Sequence, residues 1–241
     1  MNRKSGLLSG NALKIIAALA MLADHVGLMF FPGVSLFRIV GRLALPVFAY
    51  MIAEGCRYTR NRLRYFLQIF TLAAICQIVY FLVDGSLYMS ILVTFSCSIL
   101  IIYALQRMKE AFGAGNGDKY LWLLVFVSSI VGVYILNRIV MIDYGFWGCM
   151  VPVFASLFQN RRGAQHSWLP QMDRKIVHIA MLSVGLVVLW LDLGGNQLWS
   201  LLAVPVLLLY SGKRGTLPMK YFFYVFYPLH LALLQLVDWI I

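Results

Sequence analysis

Charge is scarce in this chain. Only 12% of its 241 residues are charged, about half the share of an ordinary soluble domain, and just 9 are acidic. So few charges cannot cover a water-facing surface, which excludes a soluble globular enzyme. Cysteine is scarcer still, at four residues. Cys56, Cys76, Cys97 and Cys149 all fall inside apolar stretches, without C-x-x-C spacing or a His at ligand distance. That pattern excludes a disulfide framework and a zinc site and predicts buried free thiols, with no metal expected. Long polar stretches are missing too. The longest, Gln159 to Lys175, is a loop broken by Gly163 and Pro170, so no soluble domain is expected, and residues 1–241 read as a single transmembrane domain without internal repeats. The basic start and following apolar run resemble a signal peptide in outline. However, the run continues to Phe31, carries Asp24 and His25, and lacks a small-residue cleavage site, so it reads as a retained first helix.

What is present is hydrophobicity: 62% of residues, with mean hydropathy +0.83. A membrane-crossing helix needs roughly 20 apolar residues. Nine apolar runs lie approximately at 13–31, 36–56, 65–83, 89–105, 120–136, 144–158, 176–191, 198–210 and 221–241, the sixth and eighth being short. The expected fold is an all-α polytopic bundle of about nine transmembrane helices in the lipid bilayer. A net charge of +11 could suggest nucleic acid, but the bases lie between apolar runs rather than on one wet surface, so nucleic acid is not an expected partner. Their placement orients the chain. With the N-terminus in the cytoplasm, the inner segments hold Arg3, Lys4, Arg57, Arg60, Arg62, Arg64, Arg107, Lys109, Lys119, Arg161, Arg162, Arg174, Lys175, Lys213, Arg214 and Lys220, which is 16 of the 20 basic residues. Lys14 snorkels inward. Arg38, Arg42 and Arg138 are the exceptions, the C-terminus falls outside, and Trp239 fits an interfacial belt.

Ionisable groups inside apolar runs cost about 2.5–3.5 kcal/mol near the bilayer centre, so each is a functional candidate. Asp24 and His25 lie in the first run, Arg38, Arg42 and Glu54 in the second, Asp143 before the sixth and His230 in the ninth. Twelve residues of helix place His25 roughly 18 Å beyond Leu13, slightly past the midplane. Lys14 precedes it by eleven residues, about three turns, so one face carries a cation at the cytoplasmic mouth and an imidazole deep inside. Asp24 points about 100° away and suits an arginine of the second helix. Arg38 and Arg42 share a face at i,i+4 spacing, and Pro46 leaves the carbonyl of Arg42 without a donor. Tyr221, Tyr224, Tyr227 and His230 recur every third residue, with Pro228 releasing the carbonyl of Tyr224. Such a stripe is ordinarily packing, and the Asp24 and Arg pairs can equally be structural. His166 and His178 read as solvated or interfacial.

The blocks LKIIAALAMLADHVG, RIVGRLALPVFAYMIAEG, DYGFWG, PVLLLYSGKRG and KYFFYVFYPLHLALL, spread over nearly the whole chain, resemble the TraX family of bacterial membrane proteins. That family is named for a protein that acetylates the N-terminus of conjugative pilin, and it looks related to transmembrane acyltransferases that use acyl-CoA. In that wider group a basic residue, ten intervening residues and a His mark the first helix, which Lys14 and His25 match. An R-x-x-R pattern at a cytoplasmic helix end is matched by Arg57 and Arg60.

The resemblance implies a bacterial cytoplasmic-membrane enzyme that moves acetyl from acetyl-CoA to a hydroxyl or amine of an unidentified acceptor, a glycan or protein N-terminus. His25 would be the general base. Arg42, Tyr227 or His230 would stabilise the oxyanion, Asp24 or Glu54 would orient them, and Lys14, Arg57 and Arg60 would meet the CoA phosphates. Two other classes compete. A proton-coupled transporter would use Asp24, His25, Arg42 and His230 as a relay. A non-catalytic assembly factor would depend on its loops and be indifferent to His25.

Overall fold

In the computed structural model of the protein, residues 6–85, 87–216 and 219–240 are described, those at 83, 84, 220, 221 and 224 by backbone alone. Arg3 and Lys4, counted above among the cytoplasmic bases, lie outside the described residues, as do the side chains of Lys220, Tyr221 and Tyr224. The described chain is helical: α1 (Gly10–Met29), α2 (Ser35–Gly41), α3 (Ala44–Tyr58), α4 (Arg62–Asp84), α5 (Ile91–Ala114), α6 (Lys119–Ile139), α7 (Gly145–Ser156), α8 (Lys175–Leu193), α9 (Ala203–Leu208) and α10 (Lys220–Ile240). Two 3-10 segments, Pro170–Met172 and Gly195–Leu202, complete it. Among the described residues, six helical spans are long and apolar enough to cross a membrane, and three shorter apolar helices cover the sixth, eighth and ninth runs. The protein is therefore a polytopic, all-helical membrane protein.

Two expected continuous helices are interrupted. The second run divides into α2 and α3, with Arg42 and Leu43 in a turn between them. Pro46 has no N–H to offer the carbonyl of Arg42, and its ring crowds that carbonyl, so the helix breaks one turn upstream of the proline. The eighth run is a 3-10 segment, Gly195–Leu202, continued by α9. A rise of about 2.0 Å per residue in the first part against 1.5 Å in the second stretches these residues to roughly 25 Å, longer than a plain α-helix of that length would reach.

The chain packs as two compact units, the first made of residues up to Met51 together with those from Leu193 onward, the second of Ile52–Asp192. In the first unit α1 packs against α2 and α10, and α2 against the 3-10 segment Gly195–Leu202. Close approach of α1 and α2 rests on two glycines. A Cβ on Gly27 would overlap Phe37, and one on Gly41 would overlap the Asp24 side chain. Small residues at helix crossings are the usual means of such approach in lipid, where helices gain little from hydrophobic burial. Gly41→Ala is accordingly expected to cost about 1–3 kcal/mol through overpacking. Gly132→Ala, in a helix with open space at that position, is expected to be neutral or slightly stabilising. Detergent melting temperatures of the two variants check the contrast, and equal values would remove Gly41 from the packing role.

The start of α1 is fastened by the chain that follows α9. Leu8 N–H donates to the Leu209 carbonyl at 3.0 Å and Ser211 N–H to Leu8 at 2.8 Å. Gly10 and Asn11 donate to the carbonyls of Lys213 (2.8 Å) and Arg214 (2.9 Å). Ser9 Oγ accepts from Ala12 N–H at 3.2 Å, so the first amides of α1 are satisfied by this strap and its N-cap.

In the second unit α5 is the core helix: 15 of its 24 residues are buried, against one of 21, Val133, in α6. Helices α4, α6 and α7 pack on α5. Leu121, Leu124, Val131 and Ile135 of α6 are exposed, an apolar face suited to hydrocarbon.

Candidate functional site

Seven of the residues singled out in the sequence lie in the first unit: Lys14, Asp24, His25, Arg38, Arg42, Tyr227 and His230. Two contacts fix how α1 meets α10. Lys14 Nζ lies 5.7 Å from the centre of the Phe223 ring, and the His25 and His230 rings are 5.1 Å apart, edge to face. Early meets early and late meets late, so the two helices run in the same direction, as an odd number of crossings requires.

The imidazoles are held alike. His25 Nδ1 lies 2.9 Å from the carbonyl of Met21, and His230 Nδ1 lies 2.8 Å from that of Phe226, each one turn back on its own helix. A carbonyl can only accept, so Nδ1 donates in both and each neutral ring carries its lone pair on Nε2. Nε2 of His230 is buried with no hydrogen-bond partner among the described residues. Phe226 stacks on His230 at 4.9 Å and Tyr227 meets it edge-on at 5.7 Å, so two aromatic rings hold its plane. Pro228, inside α10, leaves the carbonyl of Tyr224 without its i+4 donor, which concentrates backbone polarity one turn before His230.

Beside the imidazole pair is an ion cluster. Asp24 Oδ1 is 2.9 Å from Arg38 Nη1 and 3.7 Å from Arg42 Nη2. Arg42 Nη1 donates to Gln197 Oε1 at 3.3 Å. Asp24 and Arg38 are both near enough to act electrostatically on the His25 ring. Gln197 and Ser200, both buried, come from the 3-10 segment, which is long for its kind. At the other end of α1, Arg214 lies within electrostatic range of Lys14, and Lys213 and Arg214 are exposed beside the helix start that their carbonyls cap.

Glu54, Arg57, Arg60 and Asp143 belong to the second unit and make contacts there. Glu54 accepts from Gln159 Nε2 at 2.5 Å. Arg57 pairs with Asp173 at 3.2 Å, while Arg60 is exposed. Asp173 also meets His178 Nε2 at 3.0 Å. Burial would raise the Asp173 carboxyl, but the hydrogen bond from His178 and the Arg57 charge outweigh it and hold the group below the ordinary carboxylate value. Asp143 accepts from Tyr88 at 2.8 Å, and burial together with that carboxylate pushes the Tyr88 phenol up.

His178 corrects an expectation: it is buried, 1% exposed, with Asp173 Oδ1 3.0 Å from its Nε2. Lys109, counted with the cytoplasmic bases, is also buried, and its ammonium donates to the carbonyls of Ser156 (2.7 Å), Gln159 (2.7 Å) and Leu157 (3.4 Å), closing the end of α7. Sequence reasoning passed over Gln197, Lys213 and Arg214. The first stands just before the run 198–210, after Gly194, Gly195 and Asn196, where it reads as a loop amide. The two bases were visible only as topology markers, because the strap onto α1 is a long-range contact.

A multi-helix membrane protein with paired imidazoles between its first and last helices, beside an intramembrane ion cluster, defines the class. A family model described as TraX protein matches residues 9–238, and the chain belongs to that family. It is similar to the probable fimbrial assembly protein FimC, serogroup H1, of Dichelobacter nodosus, at 25% identity covering 92% of each chain. A shorter match of 38 residues, 47% identical and covering 16% of this chain and 15% of the other, is to the uncharacterized protein RP591 of Rickettsia prowazekii (strain Madrid E). No solved structure matches.

Proposed function

We propose that this protein is an acyltransferase of the bacterial cytoplasmic membrane that moves acetyl from acetyl-CoA to a hydroxyl or amine acceptor. The observation that carries this reading is the meeting of His25 and His230, each fixed through Nδ1 and each left with a lone pair on Nε2. His25 Nε2 takes the proton of the acceptor O–H or N–H while that oxygen or nitrogen attacks the thioester carbonyl carbon. The tetrahedral oxyanion formed beside His230 and Tyr227 is stabilised by a donor there, the Tyr227 hydroxyl. Collapse breaks the C–S bond, the CoA thiolate leaves, and the proton held on His25 passes to it. Asp24 fixes the α1–α2 pairing behind His25 through its ion pair with Arg38 and lies 3.7 Å from Arg42, so it acts as a positioning residue.

The donor's phosphates are met by Lys14, Lys213 and Arg214 at the cytoplasmic end of α1, where like charges held near one another favour an anion between them. Arg57 is committed to Asp173 and is assigned no part. The fimbrial assembly named for the Dichelobacter relative favours a protein acceptor, the N-terminal amine of an envelope subunit, over a glycan.

The test is acetyl-CoA against free CoA in thermal melts of the detergent-purified protein. Ligand at one hundred times its dissociation constant adds about 2.7 kcal/mol. Stabilisation is expected in wild type and in His25→Ala, and a clearly smaller shift in Lys14→Ala. A folded protein that millimolar acetyl-CoA leaves unshifted would end the donor reading. The intramembrane Asp24–Arg42 pair and the two imidazoles would then be taken as a proton relay, checked by pH-gradient-driven flux in liposomes.

A further inference from the structure

A cavity of about 540 Å³ opens in the second unit at the cytoplasmic end of α5 and α6, and the acyl-transfer reading makes no use of it. Its walls include Arg107, Glu110, Asp118, Trp122, Arg161 and His166. The charge there is unbalanced. Glu110 is approached by three guanidiniums, those of Arg62 (3.2 Å), Arg161 (3.7 Å) and Arg107 (3.8 Å). One carboxylate for three cations leaves two positive charges, and Asp118 in the wall offsets one of them. The surplus falls on Arg107, whose side chain is 52% exposed and lies 5.8 Å over the Trp122 ring, which holds the guanidinium at the rim.

The wall is also preformed. Asn160 bonds to Trp168 twice, at 2.9 and 3.1 Å, and Trp168 stacks on Phe158. Gly113 lets the backbone of Ser167 and the Cβ of His166 come against α5, where an added Cβ would lie 3.3 Å from each. A ligand entering therefore does not have to order the loop. The start of α6 borders the same space, and its N-cap, Asp118, makes no side-chain bond to the first turn. The positive end of the helix thus adds to the surplus charge.

We infer that this cavity binds a phosphate ester, with Arg107 and Arg161 as the donors to its oxygens. Planar guanidiniums match phosphate oxygens in pairs, and an indole beside them suits an organic group attached to the phosphate. Two sources carry this chemistry at a cytoplasmic membrane edge: the headgroup of an anionic phospholipid, whose chains would follow the exposed apolar side of α6, and a soluble nucleotide.

The experiment is a thermal-melt titration of the full chain in a phosphate-free maltoside detergent. The probes are dihexanoyl phosphatidylglycerol, dihexanoylglycerol and ADP, applied to wild type, Arg107→Gln and Ala114→Trp. Ala114 lines the cavity, so a bulky ring there fills it without removing a charge. Stabilisation by the phosphatidylglycerol but not by the phosphate-free glyceride, with an affinity about tenfold weaker in Arg107→Gln and lost in Ala114→Trp, supports a lipid-headgroup site. The same pattern with ADP supports a soluble phosphate ester. A wild type that none of the probes shifts, a glyceride as effective as the phospholipid, or shifts unchanged in both folded variants would overturn the assignment. Variants at Lys14 and His25 leave these shifts intact, which separates this site from the proposed acyl-transfer site.

Discussion

His25→Ala, in protein that still inserts and still binds acetyl-CoA, is expected to lower acyl transfer by about 10²–10⁴, the usual contribution of a positioned general base. The same loss in His230→Ala would follow from its place 5.1 Å from His25. If the two rings act as one device, the double variant should be no worse than the poorer single, since members of a unit are strongly non-additive. Initial rates with a labelled acetyl donor measure all three. A His25→Ala protein as fast as wild type would remove the base assignment. Multiplying losses in the double variant would instead make the imidazoles independent contributors. Gln at either position keeps a side chain of similar reach but lacks the free Nε2 lone pair, so it is expected to resemble Ala in rate while restoring any stability that Ala loses.

Lys109→Met carries the largest expected effect on stability. The substitution keeps the length of the side chain but removes the donor that closes α7, orphaning the carbonyl of Gln159 and leaving that of Ser156 with only the Gln159 N–H. The unsatisfied carbonyl costs about 1–3 kcal/mol, and the lost charge-assisted bond to Ser156 adds about 1.5–3 kcal/mol. Part is recovered because an ammonium no longer has to be buried, leaving a net loss on the order of 2–3 kcal/mol. For a chain of this size that is a fall in melting temperature of roughly 4–12 °C. Lys109→Arg keeps the charge but replaces a compact ammonium bonded to three carbonyls by a planar fork, and an intermediate melting temperature is expected. Were Lys109→Met to melt with wild type, the ammonium could not be what holds the end of α7.

Hydropathy and the placement of Lys and Arg were enough to read nine apolar segments, and each lies on a helix of the structure. They are legible because hydrocarbon accepts only backbone that bonds within itself, so apolar length translates directly into helix. Asp24, His25, Arg42 and His230 were legible for the complementary reason: ionisable groups are expensive in such helices and stand out from their neighbours. The break between α2 and α3 was half legible. Pro46 marks it, but the rupture falls at Arg42 and Leu43, one turn earlier, where the proline fails to donate.

Which polar groups meet was not written in any run. Asp24 on Arg38, His25 on His230, Gln197 on Arg42 and the carbonyls of Lys213 and Arg214 on the start of α1 join positions far apart in the chain, with Asp24 and Arg38 the nearest. Lys109 shows the same limit from the other side. In sequence it is one base among several in a cytoplasmic segment, and only the arrival of α7 at its ammonium makes it a buried cap. Hydrophobicity is a property of a segment and is carried by the segment alone. Pairing is a property of two segments, and the packing of α1, α2, the 3-10 segment and α10 decided it, through glycines that let helices touch and a strap that fixes where α1 begins.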